Sequence, residues 1–123
     1  MLRVVFLFSV LWIMAGQAFA DGHVKRIIST SETALGNKIV YPAGEAKVTA
    51  FEFTVPVGAP VPAHTHSFPI LLMIQQGEVT LDYGDGKSKV YRPGDAFVED
   101  VGVVHTATNT GDVPTKALVV AIG

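Results

Sequence analysis

Between Asp21 and Gly123, glycine, proline and Asn/Asp turn residues interrupt the chain every few positions, and no stretch carries the apolar spacing of an amphipathic helix. What lies between the interruptions is short and rich in β-branched and aromatic residues. Such runs make strands, and a succession of them makes a sandwich or a barrel. Val24–Ser29 and Asn37–Tyr41 read as short strands around a polar loop. In Lys47–Val55, Thr49, Phe51, Phe53 and Val55 alternate with polar or small residues, which predicts a core-facing side carrying Phe51 and Phe53. Pro56 to Ala63 holds three prolines and Gly58, and reads as a stiff loop because proline cannot donate to a ladder. Ile70–Ile74 is apolar throughout, as in a buried strand, and Glu78–Tyr83 and Lys87–Tyr91 flank the hairpin signal Gly84-Asp85-Gly86. Arg92-Pro93-Gly94-Asp95 is a turn, followed by strands over Ala96–Glu99, Val103–Asn109 and Lys116–Ile122. The expectation is an all-β domain of about nine strands.

The first 20 residues are of another kind. Arg3 precedes an apolar run from Val4 to Ala15, and Ala18-Phe19-Ala20 places small residues just before the polar Asp21-Gly22-His23. That is the layout of a cleaved secretory leader, the run being short against the ~20 residues of a spanning helix. Cleavage would leave eight basic side chains against eleven acidic ones, a formal balance of −3. No basic block survives, which argues against nucleic acid as a partner. No second apolar stretch is long enough to cross a bilayer, so the mature domain is expected to leave the membrane and to be periplasmic or secreted. The chain has no cysteine, so an exported domain of this sequence must be held by its core without disulfides.

The chemistry concentrates in the histidines. In His64-Thr65-His66 the two imidazoles stand on one face of an extended chain, roughly 6.6 Å apart along it, a spacing from which both rings can converge on one ion. Two polar residues on a half-wet face would give the same pattern. The frame around them is more specific. It runs Gly58, five residues, His64-Thr65-His66, three residues, Ile70, six residues, Gly77. A second frame runs Gly94, five residues, Asp100-Val101-Gly102, two residues, His105, three residues, Asn109. Over residues 45 to 123 this resembles the cupin superfamily. The resemblance implies a double-stranded β-helix, or jelly-roll, barrel over 45–123, preceded by strands and a loop over 21–44. It also implies a divalent transition metal (Fe, Mn, Zn, Ni or Cu) held by His64, His66 and His105.

Two positions depart from the family pattern: Ile70 stands where cupins usually carry a metal-binding Glu, and Asp100 where proline is usual. Glu99 is the one nearby carboxylate able to take the missing role, as ligand, as orienting group or as catalytic base, if it shares the inward side of its strand with Phe97; otherwise it is a rim residue. His23 reads as part of a flexible tail, and Glu52 and Glu78 as surface residues. The resemblance implies two functions of different kinds. One is a metal-dependent enzyme of the dioxygenase or isomerase type acting on a small organic molecule. The other is a non-catalytic module that binds a metal or a small ligand. Pairing into a homodimer is implied by the resemblance alone.

Overall fold

The computed structural model describes residues 22–123, so the expected leader lies outside the described residues. Eight strands follow one another: β1 (Val48–Val55), β2 (Pro60–His64), β3 (Ile70–Gln76), β4 (Val79–Asp82), β5 (Ser88–Tyr91), β6 (Ala96–Glu99), β7 (His105–Asn109) and β8 (Thr115–Ile122). They form two four-stranded sheets, in the orders β1-β8-β3-β6 and β2-β7-β4-β5, and every pair is antiparallel. This is a jelly roll, as expected. Among the described residues no helix is long and apolar enough to cross a membrane.

The inward residues alternate along each strand and meet between the sheets. Ile70 and Ile74 of β3, Val79 and Leu81 of β4, Phe97 of β6 and Ala117 and Val119 of β8 form the buried cluster. Tyr91 and Phe97 stack at 3.7 Å between ring centroids where β5 and β6 leave their shared turn. The turn from β3 to β4 depends on Gly77. Its φ is +75°, and a Cβ there would sit 2.8 Å from the Pro114 carbonyl oxygen and from Thr115 Cα, so any side chain would collide with backbone.

Three expectations are corrected. The segments 24–29 and 37–41 do not form strands; only an isolated bridge joins Glu32 to Lys38. Val24 and Ile27 are exposed and have no apolar face to bury. Asp100 offers residues 33–37 an alternative to a ladder. Its carboxylate accepts from Thr33 Oγ1 at 2.5 Å, Asn37 Nδ2 at 2.6 Å and Leu35 N at 3.2 Å. Ala34 N donates to Val98 O on β6, and Lys89 Nζ on β5 donates to Ala34 O. Residues 31–39 thus strap the seam where the β5 and β6 edges meet.

The second correction is in the proline-rich stretch, part of which is strand β2. It is an edge strand, paired only with β7, and its register slips between Val61 and His64. An edge leaves one side of the strand without ladder duties, which is where prolines are tolerated. The third concerns Phe51 and Phe53. They face inward as expected, but they are 47% and 38% exposed, because β1 is a sheet edge and the space they face is open rather than filled.

Candidate metal centre

The strand register brings the three histidines together from two distant stretches of chain. His64, the last residue of β2, is the ladder partner of His105, the first residue of β7. His66 lies beyond the strand, where an isolated bridge joins it to Val101 and its carbonyl accepts from Gly102 N at 2.8 Å. Gly102 takes φ +73° there, a conformation that favours glycine and lets the chain turn back toward His105. The ring centroids form a triangle with sides of 4.9, 4.5 and 5.2 Å. One nitrogen from each ring lies within 4.8 Å of the other two. Ligand nitrogens at ~2.1 Å from one ion are ~3.0–3.4 Å apart, so small ring rotations close the remaining gap.

The tautomers suit this purpose. A backbone carbonyl two residues earlier faces Nδ1 of His64 (Pro62 O, 2.8 Å) and of His105 (Val103 O, 3.1 Å). A carbonyl only accepts, so each Nδ1 carries the proton and each Nε2 presents a lone pair. His66 Nε2 and His105 Nε2 are buried and face one point, where the Glu99 carboxylate is their protein neighbour. Imidazole nitrogens that converge on one point beside a buried carboxylate are the donor set a divalent cation satisfies. The residues therefore fit a divalent transition metal.

Glu99 faces this point and not solvent, being 6% exposed. Its Oε2 lies 2.6 Å from His66 Nε2 and its Oε1 3.3 Å from His105 Nε2. The register explains how it arrives. Glu99 on β6 is the direct ladder partner of Ile70 on β3. Direct partners project to the same side of a sheet with Cβ atoms ~5 Å apart. The carboxylate missing at position 70 is thus replaced from the adjacent strand. It divides the two histidines it touches. Burial pushes His66 below its usual 6.5, against the pull of Glu99, whereas Glu99 pushes His105 above that value, outweighing burial.

Sequence reasoning missed several supporting residues. Asp100, set aside as a departure, is the anchor of the strap. Asn109 is 2% exposed and ties the end of β1 to the β7–β8 turn: its Nδ2 donates to Val55 O and Val113 O, and its Oδ1 accepts from Gly111 N. Tyr83 packs 5.9 Å from the His105 ring, and burial pushes its phenol well up, so it stays neutral. Nothing in the sequence distinguished it from a hairpin tyrosine. His23 and Glu52 are exposed and take no part in the site, and Glu78 pairs with Arg92 at 2.9 Å.

The Cupin_2 model, a cupin domain, matches residues 51–121, more than half of the chain. The chain belongs to the cupin family. A search of curated proteins finds no match. Among solved structures, this cupin is similar to a Bordetella pertussis Tohama I cupin domain at 21% identity, covering 67% of this chain and 86% of that one, with a TM-score of 0.55. It resembles the DMSP lyase DddQ of Ruegeria pomeroyi DSS-3 at 28% identity, over 62% and 38% of the two chains, with a TM-score of 0.53. The Schizosaccharomyces pombe Cnp3 cupin domain aligns at 17% identity with a TM-score of 0.54, covering 60% of this chain, which spans 51% of that one.

Proposed function

We propose that this cupin is an exported metal-dependent enzyme that binds a divalent transition ion through His64, His66 and His105 and acts on a small organic molecule. The observation that carries the reading is the convergence of three imidazoles, each offering a nitrogen within 4.8 Å of the other two, beside the buried Glu99 carboxylate. When bound, such an ion would supply Lewis acidity and open coordination positions. His64 and His105 are held to it by their Nδ1 bonds to carbonyls. Glu99 favours an enzyme over a passive module. It is a buried carboxylate in contact with two ligand rings and, among the described residues, has no Lys or Arg partner. A group so placed accepts and returns a substrate proton, and the dioxygenase or isomerase classes both need one. Structures similar to this one at low identity include an oxalate oxidase, so the fold hosts enzymes.

Elemental analysis of protein purified from its native compartment tests the metal. Near-stoichiometric transition metal is expected, with a large loss in His64→Ala, His66→Ala and His105→Ala. Less than a tenth of an equivalent in the unaltered protein would refute it. Oxygen uptake with catechols, flavonoids and diketones tests turnover. Tight ligand binding with no turnover on any of them would assign the protein to the binding modules instead. N-terminal sequencing of the exported protein tests the leader, with Asp21 expected as the first residue.

A further inference from the structure

The site opens into a cavity of about 530 Å³ between the sheets, a volume typical of sites for small organic molecules. Its polarity is confined to one end. Of the 20 residues that line it, only His64, His66, Glu99 and Thr115 have polar side chains. Thr115 is removed from that group because it is 2% exposed and its hydroxyl donates to Glu78 O at 2.8 Å. The registers order the rest. Ile70 and Ala121 are partners beside the histidines, then Leu72 with Val119, then Ile74 with Ala117. Each step advances two residues, so the apolar walls run roughly 13 Å from the polar end to the level of Ile74. On β1, Phe51 faces the Val119 level and Phe53 the Ala117 level. No lysine, arginine or amide side chain lines this length.

From this distribution we infer that the ligand is a single-headed molecule: one oxygen-bearing head, anionic or readily made so, on an aromatic or aliphatic body with no second polar group. The inference rests on the proposed metal centre for the head and on the cavity alone for the body. A second carboxylate or a row of hydroxyls would have to leave water for walls that cannot bond to it, a penalty that removes about 10- to 100-fold in affinity per group. Sugars, and dicarboxylates long enough to carry their second head along the apolar walls, are therefore excluded. The half-exposed Phe51 and Phe53 rings form the wall beside which the body enters.

The test compares three probes by calorimetry on purified protein whose zinc content has been measured: 4-butylbenzoate, the two-headed 4-(3-carboxypropyl)benzoate, and headless butylbenzene. The single-headed probe should bind at least about 10-fold tighter than either of the others. Phe53→Lys places an ammonium at the open wall, its stem covering the same surface, and should bring the two-headed probe to within about threefold of 4-butylbenzoate. Equal binding of the one- and two-headed probes by the unaltered protein would overturn the inference, as would no binding of 4-butylbenzoate to zinc-loaded protein. Failure to take up zinc would sink the metal centre alone. The preference for one head over two would then be read on the metal-free protein and would decide the inference there.

Discussion

Replacing Glu99 by Gln keeps the shape of the side chain and removes its charge, and the structure sets what that should do to metal affinity. An ion ~2.1 Å from His66 Nε2 would lie within ~4.7 Å of Glu99 Oε2, given the 2.6 Å between those two atoms. At an effective dielectric of 20, a pair of unit charges 4 Å apart attracts by about 4 kcal/mol, most of which the desolvation of a buried carboxylate cancels. The net loss expected for such a supporting carboxylate is about 10- to 100-fold in zinc affinity, or ~1.4–2.8 kcal/mol, at pH 7.5. The loss should shrink as pH falls. Glu99 raises the affinity of His105 for a proton, so in the unaltered protein zinc must displace that proton. In Glu99→Gln the chief cause of that rise is gone, burial remains, and less proton is there to displace. Zinc titrations against a chromophoric chelator from pH 6 to 8 should show the two affinity curves converging on the acid side. Calorimetry in two buffers of different ionisation enthalpy should show smaller proton release from the variant. Affinities within twofold of each other at pH 7.5, or parallel curves throughout, would refute the reasoning.

Three further outcomes follow from the same contacts. Metal-free protein should be most stable close to pH 6.5. His66, depressed by burial, costs stability as pH falls below 6.5, and His105, raised by Glu99, loses its contribution as pH climbs through its raised value; thermal melts of chelator-treated protein should show both flanks, with the alkaline one flattened in Glu99→Gln. Asp100→Ala strands three donors of the strap and should cost roughly 3 kcal/mol, with amide exchange accelerated at Leu35, as read by urea unfolding and hydrogen exchange. Gly77→Ala combines a positive φ with a backbone collision and should destabilise by about 2–4 kcal/mol in the same unfolding assay, whereas an unchanged midpoint would contradict the close approach of Thr115.

The barrel was legible because strands announce themselves locally. Alternation in residues 47–55, the apolar run at 70–74 and the glycine turns at 84–86 and 94 all depend on neighbours in sequence, and each appears as a strand or turn in the structure. The histidines were legible through their spacing. Glu99 was a candidate, but its role turned on whether it faced inward, and that depends on its pairing with Ile70 across the sheet, a long-range fact. The N-terminal segments failed for the opposite reason. Residues 24–29 and 37–41 have strand-like composition, yet a strand needs a free partner edge, and the one nearby is met by the hydrogen bond from Ala34 and by Asp100. The prolines at 60 and 62 misled because edge and interior strands cannot be told apart before the topology is known.

Glu99 and Asp100 are consecutive, and successive side chains on an extended backbone point to opposite sides. One carboxylate reaches into the histidine cluster while its neighbour grips residues 33–37 on the outside. A single peptide unit therefore serves as a fulcrum between an outer fastening and an inner reagent. A chain trimmed back to begin at Val48 would retain every strand and all three clustered histidines, yet its Glu99 would be aimed by the barrel alone.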